Sequence, residues 1–250
     1  MKKYQHYIIT RFNIGLYAGR KEPDAQAWMD DRLRLFEKYC VPSIKAQTCQ
    51  DFEWLIILDR RTSQDDIFNI HRLAPRAVLF YNIWPDTKFH ERKSEQGTWK
   101  GSFVHRAEFK SEYAIMTRLD NDDAINVNFA KYVQDALLPI EEPHNTIVDF
   151  LNGCFYDEKT GKCHLCRHST GSPFITFVSK VSPYMDTVYR TSHREMCIHR
   201  KDKPKYIAHD YPNQVMWAEV IHENNKANYV IPQMVTGEYD WASLRGQFGL

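Results

Sequence analysis

An α/β fold with a mixed, mainly parallel sheet flanked by helices is what this 250-residue sequence predicts. Two observations carry it. Short apolar runs alternate with helix-patterned segments over about the first eighty residues. The runs at residues 7–9 and 54–58 each end in polar side chains, as buried strands do where they feed a loop. The length is enough to bury a core without disulfides or a structural metal.

Taken in order, Tyr7-Ile8-Ile9 reads as a first strand that delivers Thr10, Arg11 and Asn13 to a loop. In open α/β sheets, ligands gather at such carboxyl ends. Residues 26–47 carry Trp28, Met29, Leu33, Leu35, Phe36, Val41 and Ile44 at three- and four-residue spacings, which predicts an amphipathic helix interrupted near Pro42. Trp54-Leu55-Ile56-Ile57-Leu58, closed by Asp59, predicts a second buried strand; residues 65–73 read as a helix and 77–81 as a third strand. Residues 84–101 mix Pro85, Gly97 and charges without period and read as a long loop, where Trp84 and Trp99 are placed to meet a ligand. A helix over 102–110 follows.

Residues 113–119 form the next strand, running straight into Asp120-Asn121-Asp122-Asp123, and a helix covers 128–138. Beyond Pro143, strands at 146–151 and 174–178 flank a turn-rich stretch at 157–162. Tyr184, Tyr189, Trp217 and Trp241 could stack on sugar rings, but large aromatics ordinarily fill cores.

Charge and cysteine usage narrow the function classes. With 33 Lys+Arg against 32 Asp+Glu there is no global field to draw nucleic acid or an acidic membrane, and the basic run 194–201 reads as a solvated loop. Cysteines at 40, 49, 154, 163, 166 and 197 do not form the framework of a small secreted protein. The Cys163-His164-Leu165-Cys166 spacing suits zinc, yet no second close pair accompanies it, so a turn with two free thiols is expected. The basic start reaches Thr10 and Arg11 too soon for a signal peptide, and no stretch approaches the roughly 18 apolar residues of a membrane span. The expected location is cytoplasmic, with at most peripheral contact at the inner face of a membrane.

The chemistry centres on residues 120–123. Three carboxylates within four positions repel one another unless a cation, basic partners or water relieve them. A divalent ion is the sharp reading, since Mg²⁺ or Mn²⁺ takes one or two carboxylates together with phosphate oxygens; an acidic turn capping a helix is the plain one.

Two separate motifs bring a resemblance. Ser43-Ile44-Lys45-Ala46-Gln47-Thr48, leading into the strand that ends at Asp59, looks like the opening of family-two GT-A glycosyltransferases. Arg106, then the strand ending Thr117-Arg118-Leu119-Asp120-Asn121-Asp122-Asp123, is similar to their Arg, strand and Asp-X-Asp-Asp segment. With His209-Asp210-Tyr211-Pro212 and the stretch 217–222, the sequence more specifically resembles a rhamnosyltransferase family.

The resemblance implies a single GT-A domain over 1–250, with 1–135 binding the nucleotide sugar and 136–250 binding the acceptor. It implies that Thr10, Arg11 and Asn13 line the nucleotide pocket, that Asp59 contacts the base, and that Asp120 lies near the ribose or the metal. Asp122 would hold the Mn²⁺ or Mg²⁺ that bridges the phosphates, and Arg106 and Arg118 would add positive charge, unless each merely pairs with an acidic neighbour. His222 is placed as a third metal ligand or as a core histidine. Inverting transfer needs a base. The family carries it in a Glu-Asp pair before a helix; here His209 replaces the Glu, so Asp210 inherits the role or simply caps a helix over 213–222. The donor is then a UDP- or dTDP-linked sugar, rhamnose among them, and the acceptor a glycan or lipid-linked hydroxyl. A nucleotidyltransferase would need a better phosphate loop than Gly15, Gly19, Arg20 and Lys21 supply. A non-catalytic carbohydrate-binding or zinc-stabilised module would use the aromatic second half.

Overall fold

The first strand is longer than its apolar run. β1 (Lys2–Arg11) begins among exposed residues because Lys2, Tyr4 and Gln5 already pair with the strand that precedes the acidic motif. The computed structural model describes residues 2–17, 22–82, 110–182, 185–198, 203–211, 213–224 and 229–250. Trp84, Trp99, Arg106, Tyr184 and almost all of the helix expected at 102–110 lie outside them.

α1 (Glu22–Leu35) continues without a break through a π-helical segment, Phe36–Cys40, into α2 (Val41–Lys45). The interruption expected near Pro42 is this π segment, which replaces the α-helical ladder just ahead of the proline without breaking the course of the chain. The Val41 N–H reaches back five residues to the Phe36 carbonyl, which widens the turn ahead of the proline, and Pro42 then sits in the first turn of α2, where its missing N–H costs nothing. β2 (Glu53–Asp59), α3 (Gln64–Leu73) and β3 (Val78–Asn82) follow as the sequence pattern requires, with Ser63 capping α3 by accepting from the Asp66 N–H.

β4 (Ser111–Arg118) leads through the acidic motif to β5 (Ala124–Ile125) and α4 (Phe129–Leu137). The remaining strands are β6 (Thr146–Phe150), β7 (Asn152–Asp157), β8 (Lys162–Arg167), β9 (Thr176–Lys180), β10 (Lys205–His209), β11 (Trp217–Ile221) and β12 (Val235–Asp240), with short helices α5 (His193–Ile198) and α6 (Trp241–Leu244).

Among the described residues the main sheet has the order β10-β6-β9-β4-β1-β2-β3 and is parallel except for β9. It is thus the expected mixed, mainly parallel sheet. β1 is flanked by β2 on one side and β4 on the other, so the strand order reverses there, and the register pairs Ile9 with Arg118 and Arg11 with Ile57. The carboxyl ends of all three strands point the same way but are staggered, since Arg118 at the end of β4 is level with Ile9 and Leu55 while β1 runs on to Arg11 and β2 to Asp59; the switch point is where such sheets open a crevice.

A second sheet, β12-β8-β7-β11-β5, packs beside the first. The turn at 157–162 joins β7 to β8 in this sheet rather than linking the 146–151 and 174–178 strands directly, and β6 and β9 pair with each other as antiparallel neighbours. Cys163 and Cys166 lie on β8, not in a turn. Three residues apart on a strand, they point to opposite faces and enter separate cores. Residues 217–221 are likewise a strand, not part of a helix, since Trp217 and Ala218 pair with β5 and Ala218 through Ile221 with β7.

Trp217 and Trp241 fill the core. Trp217 is fully buried, stacks on Phe174 at 5.4 Å and donates its indole N–H to the Phe150 carbonyl at 2.8 Å, tying the two sheets together. Gly153 lies against its ring: a Cβ there would come within 2.2 Å, so only glycine fits. Trp241 stacks between Tyr156 and Phe248, and the Gln247 carbonyl accepts from the Val127 N–H, so the C-terminal segment docks on the body of the same chain. The basic run starts as α5, with Met196 buried. No helix among the described residues is long and apolar enough to cross a membrane.

Candidate active site

The loops after β1 and β2 are sewn together by side chains. Asn13 accepts the Asp59 N–H at 2.9 Å and donates to the Thr62 hydroxyl at 2.9 Å, while Thr62 also donates to the Asp59 carbonyl. Asp59 accepts from the Gly15 N–H and, through both oxygens, from Arg61. Asn13 is buried and used up in this network, and Thr10 is fully buried with its hydroxyl accepting from the Trp54 indole at 3.0 Å. Both shape the crevice from behind. Asp59 is buried as well, with the part-exposed Arg61 paired to it.

On the other side of the switch point, Arg118 donates to Asp120 at 3.0 Å, the acidic pairing that its position allows. Arg11 lies over the Tyr189 ring at 4.4 Å and Arg118 near the same ring at 5.5 Å, and Tyr189 is anchored by its hydroxyl on the Ile9 carbonyl. Burial alone would raise the Asp120 carboxyl, but Arg118, Arg11 and His193 outweigh it and hold the group below its ordinary value. A third of the Asp120 side chain remains exposed.

Asn121 donates to the Phe12 carbonyl at 2.8 Å, and Asp123 accepts the Val220 N–H at 2.8 Å, so the motif's turn is bolted to β1 and β11. Asp122 is nearly buried between two partners that the chain brings from far away. One is Arg32 of α1, which forms an ion pair with it. The other is His222, just past β11, whose Nε2 lies 3.1 Å from Asp122 Oδ2. Asp31, one residue before Arg32, faces His222 Nδ1 at 3.8 Å and accepts from Asn224.

Glu219 completes the cluster from β11. Burial, then the negative charges of Asp120 and Asp122, push its carboxyl up to about 7, with Arg118 pulling the other way. Asp123 is raised well above its ordinary value by burial and by Asp122, Glu219 and Asp120. Neither Arg32 nor Glu219 was singled out by sequence. The signal for Glu219 was available, since it is a lone charge inside an otherwise apolar strand; Arg32 carries no mark among the charges of α1.

Asp210 lies apart. It follows β10 at the outer edge of the sheet, with β6 and β9 between it and β4, and it pairs with Arg167 at 2.9 Å and accepts from Asn152 at 2.6 Å. Those two bonds hold its carboxyl below the ordinary range. With β11 in place of a helix, it caps nothing.

A carboxylate and an imidazole meeting at 3.1 Å, with Asp120 close along the chain, are a donor set that suits a divalent cation. The mixture of oxygen with one nitrogen favours Mn²⁺ over Mg²⁺, whose ligands are nearly all oxygen. Among the described residues, no three His, Cys, Asp or Glu side chains converge at ligand distance, and Arg32 sits on the Asp122 oxygen.

A mainly parallel α/β sheet with acidic residues gathered at its switch point has them where such folds bind their ligands. Over residues 16–234 the sequence matches the family described as "Putative rhamnosyl transferase", and the chain belongs to that family. The crystal structure of TarS from S. aureus is similar in outline at 10% identity, with a TM-score of 0.43 over 88% of this chain and 37% of that one. The chain thus spans little more than a third of that protein, and a likeness at this level carries no argument about activity. No curated protein sequence matches.

Proposed function

We propose that this chain moves a sugar, rhamnose by the family's description, from a UDP- or dTDP-linked donor to a hydroxyl of a glycan or lipid-linked acceptor, with inversion and with Mn²⁺ or Mg²⁺ as cofactor. The observation that carries the metal reading is the meeting of Asp122 and His222, a hundred positions apart in sequence, at the carboxyl end of the central strands. Asp122, His222 and Asp120 would hold the ion, which supplies positive charge to the departing diphosphate. Arg118 and Arg11, packed on Tyr189, present further positive charge on the same side of the motif. Asp59 with Arg61 is placed to meet the base end of the donor.

The acceptor hydroxyl must lose a proton, and two carboxylates are available. Asp210 is committed to Arg167 and Asn152, which weakens it as a base. Glu219 shares the cluster with Asp120 and Asp122, and among the described residues no hydrogen bond reaches its carboxylate. We therefore favour Glu219 for the proton and place Asp210 with the acceptor-binding surface.

Calorimetric titration of UDP and dTDP into the wild type and Asp122→Ala, each with Mn²⁺ or with chelator, tests the reading. Binding that requires metal and is lost in Asp122→Ala is the expected result. Failure of both nucleotides to bind under every condition overturns it.

A further inference from the structure

Arg32 is held on three sides within the protein, with only 11% of its side chain exposed. Its guanidinium pairs with the Asp122 carboxylate, donates to the Asn121 amide oxygen at 3.3 Å and lies over the Trp28 ring at 5.0 Å. The atom it pairs with is Asp122 Oδ2, the same oxygen that faces His222 Nε2. A divalent ion seated between Asp122 Oδ2 and His222 Nε2 would contend with Arg32 for that oxygen, and like charges at such separations repel strongly in a buried site.

We infer that Arg32 is the resident cation of the site and yields Asp122 to the metal when an incoming diphosphate offers the guanidinium another anionic partner, so that metal and nucleotide bind as a coupled pair. The inference rests on the nucleotide and metal reading above. Displaced without such a partner, the buried guanidinium would lose its counter-charge, which is costly. A diphosphate removes that cost, because the planar fork of arginine pairs with phosphate oxygens as readily as with a carboxylate. Trp28 beneath the planar guanidinium keeps it in place while its partner changes. Arg118 does not duplicate this role, since its partner is Asp120 on the Tyr189 side of the motif. Thermodynamic linkage then makes the effect reciprocal: the metal tightens nucleotide binding by the same factor.

The test follows free Mn²⁺ by electron paramagnetic resonance in titrations of the wild type, Arg32→Gln and Arg32→Lys, each alone and with saturating UDP or dTDP. In the wild type, nucleotide is expected to tighten Mn²⁺ binding about tenfold or more, within the usual range of coupling between sites. Arg32→Gln is expected to bind Mn²⁺ alone more tightly than the wild type and to lose most of the coupling. Arg32→Lys keeps the charge without the fork and is expected to fall between, which preserves the test if the glutamine variant does not fold by circular dichroism. If the wild type shows coupling that the variants leave unchanged, or if the variants bind Mn²⁺ alone no more tightly, the role of Arg32 is overturned and the metal reading stands. If the wild type binds no Mn²⁺ with either nucleotide, the metal reading falls, and this inference with it.

Discussion

One helical stretch, residues 31–39, serves two carboxylate clusters with opposite electrostatic outcomes. On one side, Glu158 accepts from both terminal nitrogens of Arg34 at 2.7 and 2.9 Å, from Lys38 at 2.9 Å and from Tyr39 at 2.9 Å. These donors, Arg34 first, bring its carboxyl down to about 2. On the other side, Asp31, Asp120, Asp122, Asp123 and Glu219 gather around Arg32 and Arg118, and burial with mutual repulsion drives Glu219 up to about 7. Donors outnumber acids in the first cluster and acids outnumber cations in the second. The first holds α1 and the π segment to the second sheet. The second is short of positive charge, which is the balance the proposed cation would relieve.

Asp122 belongs to the second cluster alone, and the largest effect is expected there. Its replacement by alanine is expected to abolish metal-dependent nucleotide binding and, because the buried Arg32 then lacks its counter-charge, to lower stability as well, so circular dichroism must report a folded variant before the binding loss is read. Next comes the choice of base. Glu219→Gln is expected to lower kcat on the order of 10²–10⁴-fold with nucleotide binding retained, and Asp210→Asn less than about tenfold, acting on acceptor KM. The reverse ranking in steady-state assays returns the base role to Asp210.

Stability against pH distinguishes the clusters without any substrate. A carboxyl raised in the folded state favours folding less as it ionises, so Glu219 exerts no penalty below about 4.5 and its full penalty above about 7. In chelator, Glu219→Gln is therefore expected to stabilise the protein by about 1–3 kcal/mol at pH 8 and to change little at pH 4, as urea unfolding would measure. Glu158 has the opposite sign. Its contribution is complete above about 4.5 and is lost as pH falls toward 2. Because Arg34 and Lys38 are half exposed, screening reduces the loss in Glu158→Gln to about 1–2 kcal/mol at pH 7, shrinking as the medium is acidified.

Much of the first half is legible from residue order alone. The apolar runs that form β1, β2, β3 and β4 carry no ambiguity of period, and Asp59 and Asp120 fall at the strand ends where hydropathy stops. The second half is harder to read for a physical reason. Residues 152–157 and 162–167 form strands by pairing with each other and with distant partners, and Cys163 through Cys166 reads as a turn because short polar strands have little pattern of their own. The stretch 217–221 takes the strand form because β5 and β7 pair with it on either side, a tertiary override of a helix-like neighbourhood.

By itself the sequence determined the class of fold, the position of the acidic motif at the end of a buried strand and the family to which the chain belongs, because these depend on local hydrophobic period and on residues adjacent in the chain. Only the tertiary structure decided that Arg32 and His222 meet on one oxygen of Asp122, that Glu219 joins them while β10, which Asp210 follows, lies three strands from β4, and that Thr10 and Asn13 are buried with their side chains hydrogen-bonded. Those facts depend on where α1 and β11 come to rest, and the charge balance of a buried site is set by neighbours in space, not by neighbours along the chain.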